Sequence, residues 1–305
     1  NELKKSFQNK VVLISGAAGS IGSQFSKDIF KYNFKIKKII FLDKDENMLT
    51  ELNRELLLLK NFKNINREFV CSDLNSIDIS DILLKNKVQF YLNFAAIKHV
   101  RSEENIQSIK YMFKTNSVSF IPKKLKHLKK IFSISTDKTV NPSSILGVSK
   151  NLMEINLSKY KNKNIFVSSV RFANVAFSDG SLLHGFDQRI LKRQPLSAPN
   201  DVRRYFITPK EAGRICLLSC IQGGNRDIYF PKLSKKLHEI TFAEIAIRYL
   251  EAKDKVAYIC KSENEAREYL SLNQDLKNWP CYFFKTDTTG EKDFEEFFTK
   301  NFIVN

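Results

Sequence analysis

Two hydrophobic spacings alternate along the first 175 positions of the chain. Short, unbroken apolar runs at 10–15, 38–42, 67–71, 88–94, 130–134 and 165–170 predict strands covered on both faces. Between them, apolar residues recur every three or four positions, as at Ile21, Phe25 and Ile29. That spacing predicts helices over 20–32, 46–59, 77–84, 106–120 and 142–160. Strictly alternating strands and helices imply right-handed βαβ units and a doubly wound parallel sheet, an α/β fold. After about position 175 the alternation is expected to stop, giving way to charged helices and short apolar pieces broken by Pro195, Pro199, Pro209 and Pro231.

Polar positions at the strand ends add chemistry. The first strand runs into Gly16-Ala17-Ala18-Gly19-Ser20-Ile21-Gly22, a G-x-x-G-x-x-G turn that opens a helix. Glycines let the backbone approach a pyrophosphate, and the helix start adds a positive dipole end. Gly16, Ala18, Gly19, Ser20, Ile21 and Gly22 are thus expected to cradle a dinucleotide, making 1–175 a Rossmann domain. Asp43 ends the second strand, 21 residues after Gly22. A carboxylate there accepts ribose hydroxyls and repels a 2′-phosphate, favouring NAD; the adjacent Lys44 leaves NADP possible. Asp43 can equally serve as a helix cap. Asp73, after the third strand, is placed to meet an adenine amine, or to cap a turn. The remainder, 176–305, is expected to be a smaller α/β substrate-binding lobe that does not fold on its own.

Bulk composition narrows the class. The chain has 305 residues, enough for a sizeable core, and 43% are hydrophobic. No apolar run approaches the roughly 18 residues of a membrane span, and the opening NELKKSFQNK has no apolar signal region. A cytoplasmic protein with no membrane partner is expected. Fifty Lys+Arg against 33 Asp+Glu give a net charge of +17. The lysines are scattered, with no basic tail or zinc-finger signature, so no nucleic-acid partner is expected; an anionic substrate suits the charge. The five cysteines are widely spread, and none has the neighbours a metal set requires. No metal is expected.

The stretch SISTDKTVNPSSILGVSK (133–150) sets Asp137 beside Lys138, just past a strand, with Lys150 on the helix that follows. With the glycine turn, Asp73 and Ala95-Ala96, this pattern resembles the extended short-chain dehydrogenase/reductases. In that superfamily the lysine binds the nicotinamide ribose and tunes a tyrosine four residues earlier; that position here is Leu146. Thr136-Asp137-Lys138, Asn141-Pro142, Gly147 and Ser149-Lys150 resemble the nucleotide-sugar 4,6-dehydratases acting on UDP- or GDP-N-acetylglucosamine. So do Ala95-Ala96-Ile97-Lys98-His99-Val100, Val170-Arg171-Phe172-Ala173-Asn174-Val175 and Arg204-Tyr205-Phe206-Ile207-Thr208. The pieces Trp279–Phe284 and Asp287-Thr288-Thr289-Gly290-Glu291-Lys292 further resemble dehydratases of legionaminic-acid pathways.

The resemblance implies an enzyme, a lyase that moves hydride from C4 of a hexose to NAD, expels the C6 hydroxyl as water, and returns the hydride to C6. Lys138 would take the C5 proton, once desolvation lowers its pKa, and Asp137 would protonate the leaving hydroxyl; the two roles can be exchanged. Leu146 cannot deprotonate the C4 hydroxyl, so Thr136 with a water is assigned that step and Lys150 stabilises the alkoxide. Leu74, Ala95, Ala96 and Lys98 join the cofactor set. Lys98, His99, Asn174 and Arg204 are expected at the substrate, the last two on its diphosphate. The family often forms homo-oligomers. A nucleotide-sugar epimerase and a non-catalytic NAD-binding regulator remain as alternatives.

Overall fold

The computed structural model describes residues 5–123, 125–160, 164–232, 240–273, 276–286 and 295–299. They form two compact units: Asn1–Phe172 with Pro209–Pro231 and Glu296–Asn305, and Ala173–Thr208 with Lys232–Glu295.

The first unit is built on a parallel sheet. Its strands are β1 Val11–Ser15, β2 Lys38–Asp43, β3 Asn66–Cys71, β4 Phe90–Asn93, β5 Lys130–Thr136 and β6 Phe166–Phe172, with Ile228–Tyr229 added at one edge. The spatial order is Ile228–Tyr229, β6, β5, β4, β1, β2, β3. Chain direction across the sheet reverses between β1 and β4, so loops leaving those two strands diverge and open a crevice. The sheet is buried because its strands are apolar on both faces: Val12, Leu13, Ile39, Ile40, Leu92 and Ile131 are all solvent-free. Helices α1 Ser20–Lys31, α2 Glu46–Leu57, α3 Ile79–Lys85, α4 Ile106–Phe113 and α5 Ile145–Ser158 connect the strands.

Two helix limits differ from expectation. The helix predicted over 106–120 ends as α-helix at Phe113 and continues as a π-helical turn, Lys114–Val118, which buries Thr115, Asn116 and Ser117. The helix predicted from 142 begins at Ile145, because the Ser144 hydroxyl accepts from Gly147 N at 3.1 Å and fixes the start there.

The boundary near 175 also needs correction. The chain leaves the first unit after Phe172 but returns to it at Pro209. Helix Pro209–Gln222 lies so close to α1 that a Cβ on Gly213 would sit 2.8 Å from Gln24 Cγ, and Ile228–Tyr229 pairs with β6. Nor does the alternation stop. The second unit has a parallel sheet in the order Val256–Cys260, Asn278–Phe284, Leu196–Pro199, with helices Leu182–Leu191, Phe242–Glu251 and Glu263–Leu272. Val256–Cys260 is an edge strand whose run VAYIC is apolar throughout although Val256, Tyr258 and Ile259 are exposed. Trp279 is buried among Phe186, Tyr249 and Leu250. The segment 287–292, with its Thr-Gly-Glu-Lys motif, lies outside the described residues. Among the described residues no helix is long and apolar enough to cross a membrane. Nor do three or more His, Cys, Asp or Glu side chains gather there as a metal set. All five cysteines are free thiols.

Candidate functional site

The glycine turn sits where β1 enters α1, and close packing explains its glycines. Gly16 has φ +66, and a Cβ there would lie 2.3 Å from Ala95 N, so only glycine lets the β1 and β4 loops touch. A Cβ on Gly22 would lie 2.2 Å from Gly16 O. Gly19 begins α1 with no side-chain cap, Ser20 and Ile21 form its first turn, and no acidic residue stands there. An uncapped, acid-free helix start beneath a compact backbone turn fits a pyrophosphate. Asp43 braces the turn, with Oδ2 accepting from Ala18 N at 3.0 Å and Oδ1 from Asp45 N at 3.2 Å. The helix-cap role falls to Asp45, whose side chain accepts from Met48 N.

Asp73 leaves β3 with Oδ1 accepting from Asn75 N at 2.8 Å and Oδ2 from the Tyr111 hydroxyl at 2.5 Å. Leu74 beside it is buried. Ala95 and Ala96 follow β4, where Ala95 N donates to Asn93 Oδ1 at 3.2 Å. Asn116, on the π-turn, fixes this loop: its Oδ1 accepts from Ile97 N at 2.9 Å, while its Nδ2 donates to Ile97 O and to Ser149 Oγ. Lys98 and His99, next along the same loop, are exposed.

Thr136, Asp137 and Lys138 form the tight turn that ends β5. Asp137 is 5% exposed; Thr136 Oγ1 donates to its Oδ1 at 2.7 Å, and Lys138 Nζ lies 3.5 Å from the same oxygen. Lys138 keeps 37% of its side chain in solvent, while a second lysine of this site is buried. It is Lys150, one helix away. Its Nζ donates to Ile134 O at 3.1 Å, and burial pulls its pKa down to about 8 against the opposing pull of Glu154. Leu146 is buried at the place of the missing tyrosine. Gly147 brings α5 onto the acid–base turn, since a Cβ there would lie 2.4 Å from Lys138 O.

Two carboxylates that motif reading passed over hold this assembly. Glu154 accepts from Arg171 Nε and Nη2 at 2.9 and 2.6 Å, from Ser135 Oγ at 2.6 Å and from Thr139 Oγ1 at 3.4 Å. It thereby ties α5, β5, β6 and the acid–base turn together. Glu103 caps α5, accepting from Ile145 N and Leu146 N at 3.2 and 2.9 Å. A sequence signal existed for Glu154 alone: an acid one turn past Lys150, on the buried face. Arg171 is the partner of Glu154 here and also donates to Phe297 O.

In the second unit, Asn174 and Arg204 converge on Glu295. Asn174 Nδ2 donates to its Oε1 at 3.3 Å, Tyr205 N donates to it at 3.1 Å, and Arg204 Nε lies 3.9 Å away. The two residues therefore do come together, around an anionic oxygen.

Comparisons with known proteins address the family and the fold. Residues 12–274 match the family model described as polysaccharide biosynthesis protein. The chain is 30% identical to the uncharacterized membrane protein MJ1061 of Methanocaldococcus jannaschii, over 81% of this chain and 75% of that protein. It is 31% identical to the capsular polysaccharide biosynthesis protein CapD of Staphylococcus aureus over 81% of this chain, spanning only 42% of that longer relative. An inverting UDP-N-acetylglucosamine 4,6-dehydratase of Campylobacter jejuni is 27% identical over 78% of this chain and 71% of its own. Two solved structures share the fold. One is the dTDP-glucose 4,6-dehydratase DesIV of Streptomyces venezuelae with NAD (TM-score 0.65, 19% identity, 80% and 81% covered). The other is the UDP-glucuronic acid 4-epimerase of Bacillus cereus with NAD (TM-score 0.69, 19% identity, 93% and 88% covered). The family model covers most of the chain and a relative is 30% identical over 81% of it: this chain belongs to the polysaccharide biosynthesis protein family.

Proposed function

We propose that the chain is a nucleotide-sugar 4,6-dehydratase, a lyase acting on UDP- or GDP-N-acetylglucosamine. One observation supports this most: buried Asp137 and neighbouring Lys138, 3.5 Å apart on one turn at the end of β5. Elimination across C5 and C6 needs an acid and a base at adjacent carbons, and this turn carries both on a rigid support. Lys138 Nζ takes the C5 proton and gives it back to C5 once the hydride has returned at C6, and Asp137 delivers a proton to the C6 oxygen, or the two residues' roles are exchanged. Thr136 Oγ1, with a water, takes the C4 hydroxyl proton that Leu146 cannot, passing its own proton to Asp137 Oδ1, to which it donates at 2.7 Å. Lys150 Nζ, positive at neutral pH, stabilises the C4 alkoxide.

Bound NAD would accept hydride from C4 and return it at C6, leaving no net oxidation. The Gly16–Gly22 turn would hold its pyrophosphate, Asp43 a ribose, and Asp73 with Leu74 the adenine. Ala95, Ala96 and Lys98 would line the site, with Lys150 at the nicotinamide ribose. Asn174 and Arg204 are assigned to the substrate diphosphate, an anion of the kind Glu295 already presents to them. His99 and Lys98 are assigned to the sugar. Legionaminic-acid synthesis is the pathway we favour, in the cytoplasm. A homo-oligomer is also proposed; Val148, Leu152 and Ile155 stand exposed on one face of α5, and light scattering would find a monomer if it is wrong.

The decisive experiment incubates the chain and NAD with each sugar nucleotide and weighs the product. Loss of one water is expected from at least one of them. Asp137→Asn or Lys138→Met should cut the rate by about a hundredfold or more. A product of unchanged mass with altered C4 configuration would make the protein an epimerase. Unchanged substrate despite tight NAD binding would make it a regulator.

A further inference from the structure

Three side chains at the ends of β2 and β3 are linked in a way that the elimination does not use. Tyr111, on α4, donates its hydroxyl to Asp73 Oδ2 at 2.5 Å. Burial and the Asp73 carboxylate push the Tyr111 pKa up to about 12, so it stays a donor. Lys44, directly after β2, holds its ammonium 5.4 Å from the centre of the Tyr111 ring. Asp43 remains on the glycine turn, bonded to Ala18 N and Asp45 N.

The end of β2 is where such folds meet the adenosine ribose. A carboxylate there repels a 2′-phosphate, and an ammonium attracts one. The sequence puts one of each at consecutive positions, so sequence alone leaves the cofactor open. The structure sends them to different places: the acid to the phosphate turn, the base onto an aromatic face on the Asp73 side.

We propose that Tyr111 is a specificity-determining residue of the dinucleotide site: anchored through its hydroxyl on Asp73, it keeps Lys44 on its ring, withholds that ammonium from a 2′-phosphate, and so favours NAD over NADP. The proposal rests on the dinucleotide-binding reading of the first unit. A lysine over a partly exposed ring is held strongly enough to shift a binding ratio about two- to fivefold.

The test is titration calorimetry of the full chain with NAD and with NADP, at one fixed low ionic strength. Tyr111→Leu is expected to lower the ratio Kd(NADP)/Kd(NAD) about two- to fivefold. Tyr111→Phe keeps the ring and moves the ratio less. Adding Lys44→Met to Tyr111→Leu should cancel the gain. Lys44→Met alone, which needs no change at the packed tyrosine, should alter NADP affinity less than about twofold. An unmoved ratio in Tyr111→Leu overturns the proposal while NAD binding stands. So does a large NADP loss in Lys44→Met alone, which would mean that Lys44 already reaches the phosphate. A wild-type chain that binds neither dinucleotide overturns the reading underneath and the proposal with it.

Discussion

Keeping a charge on Lys150 is costly, because its ammonium has one backbone carbonyl and a methionine sulfur beside it. Its folded pKa, about 8, lies below the free value of 10.5, so the charged form, to which we assign the stabilising of an alkoxide, is present below pH 8 and lost above it. The dehydration rate should therefore fall as pH rises through about 8, in step with that ionisation. A rate that stays flat from neutral pH to well past this point would remove Lys150 from the chemistry. The closeness of these residues was readable from sequence: Asp137, Lys138 and Lys150 lie within fourteen positions, and the structure sets α5 against the turn that carries the first two. Glu154 and Asn116 were not. Their meaning comes from partners such as Arg171, Ser135, Ile97 and Ser149, which only the folded sheet brings within reach. Glu295, 121 positions from Asn174, had no local signal at all.

At the level of elements, the contact between α5 and the acid–base turn governs the site. Gly147 is the point of closest approach, with its absent Cβ 2.4 Å from Lys138 O. Gly147→Ala must push the helix or the turn aside. It should cost about 1–3 kcal/mol of stability and, through a displaced Lys138, most of the activity. Denaturant unfolding and turnover measured on the same sample check this; full activity with normal stability would mean the turn relaxes freely. The strands of the first unit were readable because both of their faces are buried, which leaves unbroken apolar runs. The π-turn was not, since the apolar spacing of 106–120 continues through it while Thr115, Asn116 and Ser117 turn inward. An α/β second lobe was expected, but its strands were not placed one by one: Val256–Cys260 and Asn278–Phe284 are apolar runs among prolines and charged helices, and no regular strand-helix spacing ties them to Leu196–Pro199.

For the whole molecule, cofactor binding and folding are one equilibrium. A ligand held only by the native state stabilises it by about 2.7 kcal/mol at a hundred times its Kd. For a chain of this size that is a rise of about 4 °C in Tm. Calorimetry with NAD should find it, and Gly22→Val, whose side chain would strike Gly16 O, should abolish it. A wild-type Tm indifferent to NAD would sink the dinucleotide reading. The route of the chain through its two units has one more consequence. β6 ends at Phe172, yet the strand that covers its outer edge arrives only at Ile228–Tyr229. A ribosome making this protein must therefore hold a nearly finished sheet with one bare edge while the next fifty or so residues emerge. That interval is when a nascent chain most easily pairs with a neighbour, and a chain ended after residue 175 would never leave it.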